Sequence, residues 1–463
     1  MRSGELYDVA VIGGGVVGCA VARRFTLQGA RVILLEKDTD ILSGASKGNS
    51  AILHTGFDAP DDSVELQCVK AGHDEYLDIH ERLNLPLLKT GALVVAWSRD
   101  QLARLDGIVA QAHANGVGDA CLIDPDEAWR REPALGPGIM GAVLVPREYV
   151  IDPWSAPYAY LLQAVRNGCE VRFGVEVKNG HFDDQVWILN DGSGAVRAKT
   201  VINCAGLYGD LLDRDLLGAT EFTIKPRKGQ FVVYDKAAAE LLSSIVLPVP
   251  DERTKGIVLT RTAFGNLLVG PTAEEQDDRA DASVDRATLE MLMRKAEELI
   301  PGLRGMGVSA TYAGIRPASE RKEYRIKAHA AQNWITVGGI RSTGLTSSLG
   351  IARHVYGLYE DMGRRHEALT DPLWPRVPNL AEDRPRDWSE PGYGEIICHC
   401  ELVTEREIEA ALKGPLAAQS LGALKRRTRA TMGRCQGFYC THRLAELTLG
   451  RITPELSKGK TND

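Results

Sequence analysis

Tyr7-Asp8-Val9-Ala10-Val11-Ile12 is a short apolar run rich in β-branched residues, the pattern of a buried strand. Glycines follow at once, and Cys19 to Phe25 then reads as a helix. Arg31 to Glu36 is a second apolar strand, so the first 36 residues predict one β-α-β unit, with a parallel sheet and a right-handed crossover. Two more strands running into small residues lie far downstream, at Thr200 to Gly206 and at Trp334 to Gly344. Between them are strand-like Phe231–Tyr234 and Ile257–Thr260 and a helical pattern from Ala287 to Leu299. The chain therefore predicts an α/β, Rossmann-like domain assembled from separated pieces (mainly 1–88, 145–222 and 308–370), with an α+β domain inserted (mainly 89–144 and 223–307). From Asp371 to Glu395 five prolines and few aliphatic residues predict an extended linker. Beyond it, Thr404-Glu405-Arg406-Glu407 has capping-box spacing and opens a helix to about Leu412, and a second helix is expected over Leu421 to Arg427. This last segment, 396–463, is too small for a comfortable core without a staple.

Composition changes this picture in two places. Glycine, at 47 of 463 residues, exceeds the roughly 7% of average proteins, and no repeat period absorbs the excess. Of nine cysteines, five (Cys19, Cys68, Cys121, Cys169, Cys204) are scattered, while four crowd into positions 398–440. An odd count does not suit a fully paired disulfide framework. The net charge of −7 attracts neither nucleic acid nor an anionic membrane. No apolar run reaches the roughly 18 residues of a membrane span, and the apolar start lacks the basic leader and cleavage site of a signal peptide. A cytoplasmic protein is the expectation, and peripheral membrane association through a partner subunit is the variant; self-association stays open.

Gly13-Gly14-Gly15-Val16-Val17-Gly18 matches G-x-G-x-x-G directly after a strand and directly before a helix. Gly13 permits the tight turn, Gly15 lets the backbone approach a pyrophosphate at the helix N-terminus, and Gly18 allows close helix–strand packing. Glu36, at the end of the second strand, is placed to accept hydrogen bonds from an adenosine ribose. The motif predicts a dinucleotide site and does not separate NAD from FAD.

The same stretch resembles the N-terminus of the D-amino-acid-oxidase-like flavoprotein family, in branches that include glycerol-3-phosphate dehydrogenases and L-2-hydroxyglutarate oxidases. Ser43 to Gly56 resembles that family's flavin-contacting loop, and Asn203-Cys204-Ala205-Gly206 and Gly338-Gly339 to Thr343-Gly344 match further flavin-contacting positions. The resemblance implies FAD held by Ser46, Asn49, Ser50, Ala205, Gly206, Gly339, Arg341, Thr343, Gly344, Leu345 and Thr346 in addition to the glycine turn and Glu36. It implies a flavin dehydrogenase acting on a small anionic hydroxy compound, glycerol 3-phosphate or a 2-hydroxy acid, with amino- or imino-acid oxidation as another chemistry of the fold. Such an oxidation needs a base for the heteroatom proton and a cation for the anionic group. His54, in the flavin-facing loop, is the candidate base; the competing reading is a histidine that only hydrogen-bonds flavin or backbone. Arg316, in Gly314-Ile315-Arg316-Pro317, resembles the family's Gly-x-Arg-Pro element and is the candidate anion anchor, against a plain ion pair. Arg341 is a second anion candidate, and Lys228 lies in a segment resembling one near substrate, against an ordinary solvated lysine. His73, His80, His113 and His181 have no ligand-like spacing.

Cys398-His399-Cys400, then Cys435 and Cys440, give two close pairs able to enclose zinc or a [2Fe–2S] cluster. The gaps of one and four residues are poor for zinc, and a Rieske centre would need a second Cys/His pair. Together with Thr428 to Gly437, the block resembles the bacterioferritin-associated-ferredoxin-like [2Fe–2S] module, which also ends the catalytic subunit of anaerobic glycerol-3-phosphate dehydrogenases. It implies a cluster on Cys398, Cys400, Cys435 and Cys440 that passes electrons to an acceptor protein or quinone-linked subunit. The basic run Lys425 to Arg429 is expected either to attract an acidic partner or to be a solvated face. A subunit that binds both cofactors only for electron transfer is the rival reading.

Overall fold

The computed structural model describes residues 5–190, 194–250 and 256–456; residues 457–463, assigned above to the C-terminal segment, lie outside the described residues. Strand β1 (Leu6–Ile12), helix α1 (Val16–Leu27) and strand β2 (Val32–Glu36) form the expected β-α-β unit. β1 sits centrally in the five parallel strands of an eight-stranded mixed sheet, flanked by β2 and by Ala195–Asn203, with Glu170–Phe173 and Trp334–Gly338 outside these. The register pairs Ile12 with Leu35 and Asn203, and Asn203 with Thr336. Three strands far apart in sequence thus end side by side, and the small-residue turns after Ile12, Asn203 and Gly338 lie together outside the carboxyl ends, where open α/β sheets bind ligands. Strands buried on both faces explain the unbroken apolar runs: Val9, Ala10, Val11, Val32, Ile33 and Leu34 are all fully buried.

A second, nine-stranded sheet is built around the antiparallel pair Ile224–Tyr234 and Val308–Ser319. A small third sheet pairs Ile52–Leu53 and Leu87–Leu88 with Tyr149–Ile151, setting Leu53 opposite Tyr149. The loop before the third sheet meets the second sheet at a backbone crossing. A Cβ on Gly48 would lie 2.8 Å from the Gly314 Cα, and one on Gly314 would lie 2.3 Å from the Gly48 carbonyl oxygen. Only glycine fits on either side of this approach.

The proline-rich stretch runs irregularly but is packed. Val377, Leu380 and Ala381 are buried, the Val377 N–H donates to the Leu83 carbonyl (3.1 Å), and the Arg82 guanidinium lies 3.6 Å from the Trp374 ring centroid. It is a strap rather than a free spacer. Beyond it a two-stranded ribbon (Ile396–Cys398 with Val403–Thr404) and helices Glu405–Ala411, Leu421–Thr428 and Thr441–Thr448 close around Ile397, Ile408, Leu424 and Leu444. The capping box forms as spelled, with Thr404 and Glu407 bonding each other's main chain. Among the described residues no helix is long and apolar enough to cross a membrane.

Candidate active site and cysteine module

The glycine turn is shaped by steric necessity. Gly13 has φ +106°, and a Cβ on Gly18 would lie 1.9 Å from the Gly13 carbonyl oxygen, so helix α1 can press onto β1 only without a side chain there. Gly15, the N-cap of α1, has no side-chain cap, and a Cβ there would meet only the Ser46 hydroxyl. That hydroxyl accepts from the Val16 N–H (3.0 Å), which folds the Ala45–Lys47 turn over the helix N-terminus. Glu36 closes the other side, accepting from the Gly14 and Asp38 N–H groups; burial pushes its carboxyl above the usual range. Gly206 and Gly339 both have positive φ on the neighbouring turns. The result is a backbone-lined cradle, open at Gly15, facing a helix N-terminus that favours a diphosphate. These residues fit FAD.

The remaining predicted contacts converge on one loop. Asn49 braces it, accepting from the Ala51 N–H (2.7 Å) and donating to the Ser46 carbonyl (3.0 Å), and half-buried Ser50 lies between. The Thr346 hydroxyl accepts from the His54 N–H (3.0 Å) and donates to the Ile52 carbonyl (3.1 Å). Thr343, the N-cap of helix Gly344–Asp361, donates to buried Glu65 (2.7 Å), and Leu345 is partly buried beside it.

His54 has a partner that sequence reasoning missed. Its Nδ1 lies 2.8 Å from Oε2 of Glu148, a side chain with no exposure; Oε1 of the same carboxylate accepts from the Thr55 N–H (2.6 Å) and hydroxyl (2.8 Å). Pairing of Leu53 with Tyr149 brings the two residues together. A histidine whose one nitrogen is fixed by a fully engaged carboxylate has a defined tautomer and orientation, as a base requires.

Tyr312, Gly314 and Arg316 alternate onto one face of Val308–Ser319. Tyr312 donates to the Asn49 carbonyl (2.7 Å) and Gly314 abuts Gly48, so the row runs along the loop that carries His54. Arg316 comes next, opposite Arg227 in the register, its guanidinium donating to the carbonyls of Thr272 (2.6 Å) and Lys228 (3.2 Å). Burial, then the charges of Arg227 and Arg341, push it down to about 10; Glu274 is the one acid pulling the other way. Arg341 has no hydrogen-bond or ion-pair partner among the described residues. Lys228 is not a solvated lysine: its side chain is mostly buried and lies 3.9 Å from Glu274. Arg316, Arg227 and Arg341 thus lie within one another's field, with Lys228 beside them and Glu274 and Glu275 on the neighbouring strand. His73 and His113 bond main-chain carbonyls.

In the C-terminal module Cys398 and Cys440 are buried, whereas Cys400 and Cys435 are half-buried. The thiols interact two by two, Cys400 with Cys435 and Cys398 with Cys440. Main-chain N–H groups, that of Tyr439 foremost, pull the Cys435 thiol down, while burial pushes Cys440 up to about 12. Among the described residues no group of three or more His, Cys, Asp or Glu side chains is gathered for a single metal ion. Two thiol pairs with N–H donors aimed at sulfur fit a cluster of two irons.

The basic run is neither a solvated face nor a free docking face. Arg426 and Arg427 turn inward onto Asp40, itself 1% exposed, at 3.0 and 2.5 Å, four residues beyond Glu36. Arg429 pairs with buried Glu401 (2.8 Å). Helical spacing puts these side chains on the inner side of Leu421–Thr428 and its C-cap, where they clamp the module to the flavin side of the protein. Asp40→Ala leaves two guanidinium groups without their carboxylate. It is expected to cost about 3–5 kcal/mol, read as a lower melting temperature and faster trypsin cleavage in the strap; unchanged melting would deny the clamp any weight.

Fold and site together define a flavin-dependent oxidoreductase carrying an iron–sulfur module. Residues 8–358 match the family model described as FAD dependent oxidoreductase, and residues 396–448 match BFD-like [2Fe-2S] binding domain. The chain belongs to this FAD-dependent oxidoreductase family, and its cofactors are FAD and a [2Fe–2S] cluster. It is 30% identical to glycerol 3-phosphate dehydrogenase of Caloramator mitchellensis, over 98% of this chain and 96% of that protein. It is 26% identical to one subunit of the anaerobic glycerol-3-phosphate dehydrogenase of Escherichia coli K12, over 96% of this chain and 88% of that one. Among solved structures, the FAD-bound, dithionite-reduced L-α-glycerophosphate oxidase of Mycoplasma pneumoniae superposes with a TM-score of 0.75 at 27% identity, covering 81% of this chain and 99% of that one.

Proposed function

We propose that this protein oxidises glycerol 3-phosphate at a C–OH group, with electrons leaving through the [2Fe–2S] module to an external acceptor. The observation that carries the reading is buried Arg316, with Arg227 opposite it on the paired strand and Arg341 near enough to act on its charge, on a strand whose preceding residues grip the His54 loop. Guanidinium groups gathered about a mostly buried Arg316 suit a phosphate dianion, which can take several charge-assisted hydrogen bonds at once, better than a monocarboxylate or a zwitterionic amino acid. The relatives named glycerol 3-phosphate dehydrogenase support the same substrate.

Bound FAD supplies the hydride acceptor and the cluster a one-electron outlet. Arg316 and Arg341 hold the phosphate, and the planar guanidinium of Arg316 fixes its direction. Glu148 holds His54 Nδ1, so acceptance of the hydroxyl proton falls to Nε2. The glycine turn, Glu36 and the 46–50 loop hold the dinucleotide, and Cys398, Cys400, Cys435 and Cys440 hold the cluster. Likeness to one subunit of an anaerobic dehydrogenase supports a partner subunit; that this subunit takes the electrons and holds the protein at the periphery of a membrane is part of the same proposal.

Anaerobic mixing with a panel of compounds tests the substrate. Glycerol 3-phosphate is expected to bleach the flavin band, with glycerol, lactate and glycine inert. Bleaching by L-2-hydroxyglutarate or an amino acid instead would overturn the assignment, and no bleaching across the panel would favour a subunit that only carries electrons.

A further inference from the structure

Beside its ion pairs the module's inner face makes two contacts with aromatic rings, Arg427 over Tyr158 at 4.9 Å and Arg429 over Phe264. Arg429, at the C-cap of Leu421–Thr428 with φ +69°, lays its guanidinium 4.0 Å from the ring centroid of Phe264. Phe264, 4% exposed, sits at the tip of the hairpin joining Val258–Arg261 to Leu267–Gly270. Its ring stacks on Trp154 with centroids 5.6 Å apart and planes 13° from parallel. The Trp154 indole donates to the carbonyl of Lys47 (3.1 Å), the residue that ends the Ala45–Lys47 turn over the dinucleotide cradle.

At the other end Arg429 Nε donates to Glu401 (2.8 Å), and Glu401 follows Cys400 in the chain. The turn at Gly433 presses on the same place, since a Cβ there would lie 2.3 Å from the Cys400 Cβ. Lys47, Trp154, Phe264, Arg429, Glu401 and Cys400 thus form one packed row from the flavin loop to the cluster loop. The row is fixed at both ends. Asp152, which holds the Trp154 N–H (2.9 Å), directly follows the strand paired with Ile52–Leu53, and its charge also attracts Arg429.

An ordinary interface would gain as much stability from aliphatic packing as from a buried arginine and two carboxylates. Flat π-systems stacked without a gap serve electron transfer, because tunnelling falls steeply with distance and most steeply across empty space. We propose that Trp154, Phe264 and Arg429 form the bridge by which electrons cross from the flavin to the iron–sulfur cluster. Oxidation of one C–OH group leaves two electrons on the flavin, and the cluster takes one at a time, one ferric iron becoming ferrous. Two transfers therefore cross the bridge in succession, a one-electron acceptor re-oxidising the cluster after each. The flavin's protons pass to solvent, and no bond forms or breaks in the three side chains. The proposal rests on the dehydrogenase reading only for the origin of the electrons.

The holoenzyme tests it without substrate. A light flash in the presence of EDTA reduces the flavin anaerobically, and freeze-quenched electron paramagnetic resonance follows the reduced cluster. Phe264→Leu keeps an apolar side chain of similar size and removes the ring. With iron, sulfide and FAD contents equal to those of the parent protein, it is expected to slow cluster reduction at least tenfold. Flavin photoreduction, the cluster potential and trypsin cleavage in the strap should not change, and Phe264→Tyr should restore the rate. Cluster reduction at the parental rate in a fully loaded Phe264→Leu protein overturns the bridge, as does a slowing explained by a shifted cluster potential. If Phe264→Leu fails to load, Arg429→Lys, which keeps the charge and loses the planar stack, decides by the same measurement. Because the flash bypasses the substrate, a failed compound panel leaves this test standing.

Discussion

Glu148→Gln is expected to slow flavin reduction by substrate about 10³- to 10⁴-fold while FAD stays bound, an effect of the size seen when a base's orienting carboxylate becomes an amide. In the parent protein both Glu148 oxygens accept, one from His54 Nδ1 and the other from the Thr55 N–H and hydroxyl. A carboxamide has one acceptor oxygen, which the two Thr55 donors will claim. Its NH₂ then faces His54 and makes Nδ1 an acceptor, placing the ring proton on Nε2, the nitrogen that must be empty to receive the hydroxyl proton. His54→Gln, which removes the proposed base outright, is expected to cost about 10²- to 10⁴-fold. Both changes should act on the limiting reduction rate and leave KM nearly unchanged, because neither residue touches the phosphate. Stopped-flow flavin reduction measures this directly. If His54 only hydrogen-bonds flavin or backbone, the variants would instead weaken FAD retention and keep the reduction rate, and the catalytic role would be lost.

The contrast between His54 and Glu148 shows where sequence was informative. The glycine turn, β1, α1 and β2 were legible because each is a local requirement of the backbone: Gly18 cannot carry a Cβ against the Gly13 carbonyl, and strands buried on both faces must be apolar throughout. The capping box at Thr404 was legible for the same reason. Glu148 stands 94 positions from His54 in a turn with no motif, and only the pairing of Ile52–Leu53 with Tyr149–Ile151 brings it close. Long-range pairing also hid most of the second sheet. In Ile224–Tyr234 only the last four residues look like a strand, because Lys225, Pro226, Arg227 and Lys228 break the apolar pattern where the strand runs past Arg316. Helix Thr441–Thr448 was not foreseen. The basic run was misread because charge in sequence carries no direction, and its fate turned on one buried acid, Asp40.

The second large effect is expected at Arg316. Its alanine variant should raise KM for glycerol 3-phosphate at least 10²-fold, the magnitude that follows from losing a buried, hydrogen-bonded charge partner at about 3 kcal/mol. The reduction rate at saturation should fall less, since an anchor on the phosphate would not touch the reacting carbon. Truncation also frees the Thr272 and Lys228 carbonyls, so some loss of thermal stability is expected, and a second readout must separate the two effects. Inorganic phosphate provides it. An anion that binds only the folded protein stabilises it by RT ln(1 + [L]/Kd), about 2.7 kcal/mol at one hundred times Kd. The parent protein should therefore melt higher in phosphate than in chloride of equal ionic strength, and Arg316→Ala should lose that increment whatever its own melting temperature. Arg316→Lys, with charge but no planar fork, should fall between. The pH profile adds a sign. Burial and neighbouring cations push the guanidinium down to about 10, so its charge is complete only well below that pH and falls as pH rises through it; KM of the parent protein should begin to rise as pH approaches 10. In Arg316→Ala the rise should be absent. A variant that keeps both the parental KM and the phosphate-dependent melting would place the anion elsewhere, with Arg341 the next residue to test.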